Sequence, residues 1–243
     1  MAEWYAGLLE QGPGTYQHDV ILPNLQRRMA IKKGETVLDL ACGPGFFARK
    51  FASVGARVIA SDISAELILL GKKQPKTSID YHVAPADKIP FVKNGTVDKA
   101  VIVLALQNIE NMNGVFHECA RVLTLSGSLH LVLNHPSFRI PKASEWGWDA
   151  IRKVQYRRID RYLTESKIGI QMHPGDKPDE TTVSFHRPLQ SFVKALSKNG
   201  FAVTWTEEWT SHKKSDSGPR AKAENVARGE FPLFLYLEAK KQI

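Results

Sequence analysis

Short aliphatic runs alternate with stretches of helical periodicity through the first half of the chain. "TVLDLA" (36–41) is apolar on both faces, the pattern of a strand buried between two layers. Phe46, Phe47, Phe51 and Val54 then recur at helical spacing, and Gly55 ends the run. "RVIASD" (57–62) reads as a second strand. "SAELILLGKK" (64–73) reads as a helix, with Ser64 placed to cap its start and Lys72 and Lys73 at its negative end. "IDYHVA" (79–84), "VDKAVIVLAL" (97–106) and "SLHLVLN" (128–134) supply three more strands. "NGVFHECARVLTLSG" (113–127) is an amphipathic helix expected to end near Gly127. Strands and helices alternating at these intervals predict an α/β fold, a parallel sheet covered by helices on both faces.

The pattern changes after Asn134. Residues 135–187 hold "HPSFRIP", the Trp146–Trp148 stretch "EWGWD", and two alternating segments, "KVQYRRIDRYL" and "TTVSFHR", which predict antiparallel strands with one covered face. Helical spacing resumes in "PLQSFVKALSKNG" (188–200), with Pro188 in its first turn and Gly200 at its end. "FAVTWTEEW" (201–209) and "FPLFLYLEAK" (231–240) read as a closing strand pair, joined by a polar, charged loop. A helix from about Asp19 tolerates Pro23 in its first turn. The expected organisation is one α/β domain made of residues 1–134 and 188–243, interrupted by an acceptor-binding cap at 135–187.

Composition narrows the function classes. Two cysteines, Cys42 and Cys119, exclude a disulfide framework and a cysteine-rich zinc site. The start "MAEWYAGLLEQ" lacks the basic and apolar blocks of a signal peptide, and "AVIVLAL" is far too short to span a bilayer. A cytoplasmic protein without membrane association is expected. The net charge of +8 favours anionic partners, but the basic residues are scattered, so nucleic acid stays open and is not favoured.

Ligands of such sheets bind beyond the carboxyl ends of the strands. Asp39, Gly43, Asp62, Asp87, Gln107 and Asn134 all fall at or just past those ends. The loop "DLACGPGFFA" fits two ligands. Gly43, Gly45 and Ala48 match the dinucleotide spacing, and an acid, Asp62, follows at about the distance that binds a ribose. A phosphate-free nucleoside, S-adenosylmethionine, fits as well. Asp39 separates the two. Like charges 4 Å apart repel by about 4 kcal/mol at an effective dielectric of about 20. A carboxylate at the tip of the first strand therefore opposes a pyrophosphate and attracts a ligand carrying an ammonium and a sulfonium. Glycines let the backbone approach that ligand closely.

At these residues the sequence resembles the class I S-adenosylmethionine-dependent methyltransferases, of the type 11 kind. "VLDLACGPGFFA" is similar to the family's first motif, "VIASDIS" to its second, "APADKIPF" to its third and "VIVLALQNI" to its fourth. Pro85 stands where the most frequent third motif has an aspartate. The resemblance implies a Rossmann-like, seven-stranded, mostly parallel sheet with the cap inserted after the fifth strand. It implies a cofactor site of Asp39, Ala41, Gly43 and Gly45 on the first loop, with Asp62 and Ile63 at the ribose. Ala86 and Asp87 would meet the adenine, Leu104 and Gln107 the methionine end, and Tyr16 would cover the pocket. S-adenosylhomocysteine would be the product. Cys42 reads as a small buried thiol.

Methyl transfer from a sulfonium is an in-line displacement, which requires the acceptor atom close to the methyl and opposite the sulfur. Acceptor-site candidates follow the fourth and fifth strands. His135 is the candidate general base, and Arg139 a clamp for an acceptor carboxylate or phosphate. His173 and His186 in the cap are candidate substrate contacts, and the histidine spacing matches no known metal motif. A small-molecule acceptor is the primary expectation. The alternatives are an RNA or protein acceptor met by the basic surface, and a nicotinamide-dependent oxidoreductase.

Overall fold

The computed structural model describes Gly7 and residues 12–74, 78–173 and 177–242, with side chains throughout these except at 172–180. A π-helical turn, Gln17–Ile21, runs into α1 (Leu22–Met29), whose Pro23 sits in the first turn, where its missing N–H costs nothing. The alternating half then gives β1 (Thr36–Leu40), α2 (Phe46–Ser53), β2 (Arg57–Asp62), α3 (Ala65–Lys73), β3 (Ile79–Val83), β4 (Val97–Val103), α4 (Met112–Val122) and β5 (Leu123–Asn134). Two hairpins follow, β6 (Ser144–Asp149) with β7 (Val154–Ile159), and β8 (Ser166–His173) with β9 (Lys177–His186). The chain closes with α5 (Leu189–Lys198), β10 (Phe201–Trp209), α6 (Ala221–Glu230) and β11 (Phe234–Lys241).

One seven-stranded sheet has the order β10-β11-β5-β4-β1-β2-β3. The pairs from β3 to β5 are parallel, and β11 runs antiparallel to both β5 and β10. The strand order reverses between β1 and β4, so a crevice opens at their carboxyl ends. Side-chain alternation divides the core into two layers. Leu38, Leu40, Ala100, Ile102 and Leu131 pack on the face of α4 and α5. Val37, Val58, Ala60, Val101 and Val132 pack on the face of α1 and α2. Ser64 caps α3 by accepting from the Leu67 amide at 3.3 Å, as its position before the apolar run predicts.

Two elements differ from the reading of the sequence. The helix expected to reach Gly127 ends at Val122. Leu123 already pairs with Val97, and the register then slips so that Lys99 meets Ser128. Residues 124–127 are extruded as an irregularity inside β5. The polar segment between the closing strands contains α6. It is held from outside: Phe231 meets Trp146 edge-to-face at 5.4 Å, and the Arg220 guanidinium lies 4.8 Å from the Trp148 ring. The two tryptophans of "EWGWD" thus face α6 and its flanks.

Candidate active site

The loop after β1 turns on backbone that most side chains avoid. Gly43 and Gly45 have φ of 57° and 78°, and Ala41 reaches 54° without being glycine. A Cβ on Gly45 would stand 2.1 Å from Tyr81 Oη, so no other residue fits there unless that ring moves. Asp62, at the tip of β2, fastens the loop: its carboxylate accepts from the Gly43 amide at 2.8 Å and the Ser64 amide at 2.9 Å. Each carboxylate oxygen keeps a second lone pair for a further donor.

Asp39 is 2% exposed, and its Oδ2 is buried with no hydrogen-bond partner. Burial pushes its pKa up to about 8; the nearby Asp62 charge adds to this, and the Ala48 amide opposes it. An orphaned acid of this kind is expensive unless a cation completes it. Asp39 lines a small cavity with Gln17, Ala41, Phe46 and Leu104. Leu104 is also strained, with φ of 53°. Positive φ at two non-glycine residues lining one cavity marks backbone held for a purpose other than packing. The cavity is only about 20 Å³. Ligand pockets are usually about 300–1,000 Å³, so a ligand arm enters here only when the Gln17 turn gives way.

The tips of β2 and β3, where the resemblance would place the adenine, are more open. Ile63 is 74% exposed just beyond β2, and Val83 is 55% exposed at the end of β3. Ala86 is buried, and Asp87 accepts from Asn111 Nδ2 at 2.8 Å. Tyr16 does not line the Asp39 cavity. It stands beside it, with its hydroxyl 3.0 Å from Ser211 Oγ and its ring edge-on to His212 and Phe234. Its neighbour Gln17 takes the covering position. Cys42 is buried with its thiol donating to the Gly43 carbonyl at 3.4 Å; burial pushes its pKa well up. Such a thiol is inert.

Gln107 stands between Leu104, a wall of the Asp39 cavity, and a larger one. Its Nε2 donates to the Leu104 carbonyl at 2.6 Å, and its Oε1 is buried without a partner. It also lines a chamber of about 400 Å³ at the carboxyl ends of β4 and β5, roofed by residues of β8 and β9. Arg139 and His186 line that chamber too. The His186 ring lies against the Tyr162 carbonyl, with Nε2 2.8 Å from its oxygen. A carbonyl only accepts, so Nε2 carries a proton, and Nδ1 is the nitrogen whose lone pair is left for a proton. Arg139 borders a second chamber of about 290 Å³ as well, together with Tyr16, Trp146 and Phe231.

His135 lies elsewhere. Its Nε2 is 2.7 Å from Glu208 Oε1, and its Nδ1 accepts from the Ser137 amide at 3.2 Å. Burial lowers its pKa, and Glu208 opposes that. With both nitrogens engaged, it ties the start of the inserted segment to β10. His173 ends β8, and its side chain lies outside the described residues. The structure therefore brings Asp39, Ala41, Gly43, Asp62, Leu104 and Gln107 together and puts Arg139 and His186 in the adjoining chamber. Gln17, Val83, Arg157 and Arg187 belong to the same region and carry no motif that a sequence could betray. Among the described residues, no group of three His, Cys, Asp or Glu could hold a metal, and no helix is long and apolar enough to cross a membrane.

A methyltransferase domain family matches residues 38–131. A ubiquinone/menaquinone biosynthesis C-methyltransferase of Haemophilus ducreyi is 31% identical over 179 residues, 66% of either chain. A demethylmenaquinone methyltransferase of Paenarthrobacter aurescens is 32% identical over 109 residues, 44% of this chain and 42% of the relative. This chain thus spans 42% to 66% of the length of these curated relatives. A crystal structure of an S-adenosylmethionine-dependent methyltransferase from Mesorhizobium loti superposes with a TM-score of 0.70 at 27% identity, covering 90% of this chain and 96% of that one. The chain belongs to the class I S-adenosylmethionine-dependent methyltransferases, and S-adenosylmethionine is its cofactor. The residues fit that ligand: the unpartnered Asp39 carboxylate suits its cationic methionine end, and Asp62 has lone pairs to spare for ribose hydroxyls.

Proposed function

We propose that this protein transfers the methyl group of S-adenosylmethionine to a small-molecule acceptor by in-line displacement. The observation that carries this reading is the buried, unpartnered Asp39 carboxylate between the strained Ala41 and Leu104. A nicotinamide dinucleotide would set its pyrophosphate against that carboxylate, whereas a sulfonium with an ammonium completes it. When bound, the cofactor supplies an electrophilic methyl group. Asp39 holds the cationic end, Asp62 the ribose, and Ile63 and Ala86 the flanks of the adenine. Asp87 stands at the adenine edge.

The acceptor occupies the chamber beyond Gln107. That residue lines the chamber and is bonded to Leu104, which walls the Asp39 cavity, so it stands between the two, and its free Oε1 accepts from an acceptor N–H or O–H. Where the acceptor must lose a proton, His186 Nδ1 is the base we favour, because its ring lines the chamber while both nitrogens of His135 are engaged. A chamber of about 400 Å³ suits a metabolite rather than a duplex. The names of the quinone-pathway relatives point the same way. The test is turnover of a methyl-labelled donor against a metabolite extract, read as label in the small-molecule fraction and as S-adenosylhomocysteine formed. Label found only in RNA or protein would replace this acceptor class with the other.

A further inference from the structure

The two chambers share a charge pattern. Arg139 and Arg157 line both of them; Lys142 and Arg187 line the larger and Arg228 the smaller, and no Asp or Glu lines either. Neither Arg139 nor Arg157 makes a salt bridge among the described residues. Arg139 donates to Asn134 Oδ1 at 2.7 Å, and its guanidinium lies 5.6 Å from the Phe234 ring. Arg157 donates to the Phe138 carbonyl at 2.9 Å and Ser144 Oγ at 2.7 Å. All these partners are neutral. The two guanidiniums also repel each other: burial lowers the pKa of Arg139 first, and the Arg157 charge lowers it further. Glu145 acts on Arg157 only from a distance.

Arg187 adds an independent observation. It is 8% exposed, and its Nη1 is buried without any hydrogen-bond partner. Its Nη2 is spent on the carbonyls of Ile109 and Glu110 at 3.0 and 2.8 Å. Arg187 also lines a further cavity, and the carboxylates that act on it, Glu165 and Glu110, border that cavity and not the larger chamber. A buried guanidinium with an idle N–H group, beside two more arginines facing neutral atoms, is a receptor short of one anion.

Resting on the methyltransferase reading above, we propose that the acceptor is an anion. Its carboxylate or phosphate is clamped by Arg139 and Arg157 where the two chambers meet, with Arg187 lending a third positive group. Leu133, Ile140, Phe185 and Phe192 line the larger chamber and hold an apolar body. The acceptor is then an amphipathic metabolite, fixed by its acidic end with its reacting atom toward Gln107.

The full chain, saturated with S-adenosylhomocysteine, is titrated calorimetrically with benzoate, phenyl phosphate and benzyl alcohol. At least one anion should bind at least about tenfold more tightly than the alcohol, and Arg139→Gln and Arg157→Gln should each weaken it by about tenfold or more. Arg139→Lys, which keeps the charge, should lose less than Arg139→Gln. Preference for benzoate assigns a carboxylate acceptor, and preference for phenyl phosphate a phosphate ester. Equal binding of all three probes, binding of none, or unchanged affinity in both glutamine variants overturns the proposal. S-adenosylhomocysteine affinity is measured first in every protein. Its absence in the unmodified chain would remove the methyltransferase reading itself, before any anion is added, whereas its retention in the variants shows that they are folded.

Discussion

At residue scale, Asp39 ties stability and ligand binding to one proton. Its folded pKa of about 8 lies above the ordinary 3.8, so the folded, ligand-free protein holds this proton more tightly than the unfolded chain. The stabilisation is complete below about 3.8 and is lost as pH rises through about 8. Asp39→Asn should therefore hold its melting temperature better than the parent between pH 6 and 9, measured without ligand. A cationic ligand needs the ionised acid, so S-adenosylmethionine affinity should rise with pH toward 8. Binding near pH 7 should release close to one proton, read by calorimetry in buffers of different ionisation enthalpy. Asp39→Asn should abolish that release and weaken binding by about two orders of magnitude, the loss of a desolvated charge pair. The same charge logic runs in the opposite sense at Arg187, a buried cation that wants an anion.

At the scale of elements, the loop from β1 to α2 is one unit with the tip of β2. The Gly43 amide and the Ser64 amide share Asp62, so one side chain sets the loop and the start of α3 together. Asp62→Ala should cost about 1–3 kcal/mol of stability through the two stranded amides, in urea unfolding. It should also weaken S-adenosylhomocysteine, which the proposed site holds through the same carboxylate. Asp62→Asn should recover part of the stability and less of the binding. Gly45→Ala meets both a φ of 78° and Tyr81 Oη at 2.1 Å from the new methyl. It should lower stability by about 1–3 kcal/mol, and Tyr81→Phe in the same chain should restore part of this by clearing the hydroxyl.

At the scale of the molecule, one face of the sheet carries a polar network inside its core. His130 lies between Ser128 Oγ and Tyr236 Oη, each at 2.8 Å, and Arg28 of α1 reaches Glu238 at 2.9 Å on the same face. Burial lowers the His130 pKa to about 3, and the charges of Lys99, Arg28 and Lys240 lower it further. Its folded value lies below the unfolded 6.5, so the stabilisation is present above 6.5 and lost as pH falls toward 3. His130→Gln should flatten that acid limb of the stability profile, read as the urea midpoint between pH 6.5 and 4. The network joins α1, β5 and β11, which ties the N-terminal helix to the closing strand pair.

Periodicity alone carried most of the fold. Strands buried on both faces announce themselves as aliphatic runs, and β1, β2, β3 and β4 start where those runs start. Cap residues and glycines fixed α3 and α5, because a helix end is a local problem with local solutions. Local pattern failed at the end of α4 and in α6, where the deciding partners are distant: Val97 draws Leu123 into a strand, and Trp146 and Trp148 hold the flanks of a polar helix.

The ligand site divides in the same way. Asp39, Gly43, Gly45 and Asp62 were legible as candidates because they lie at the tips of two neighbouring strands and on the loop after the first, and the charge of Asp39 argues for a cationic nucleoside. By itself, then, the sequence determined the sheet, the glycine loop and the sign of the cofactor's charge. Tertiary structure alone decided that Gln17 closes the Asp39 cavity, that His135 is spent on Glu208 while His186 faces the chamber, and that Arg139, Arg157 and Arg187 converge. These residues come from separate segments of the chain, and their common charge has meaning only once folding places them on chambers that no carboxylate lines.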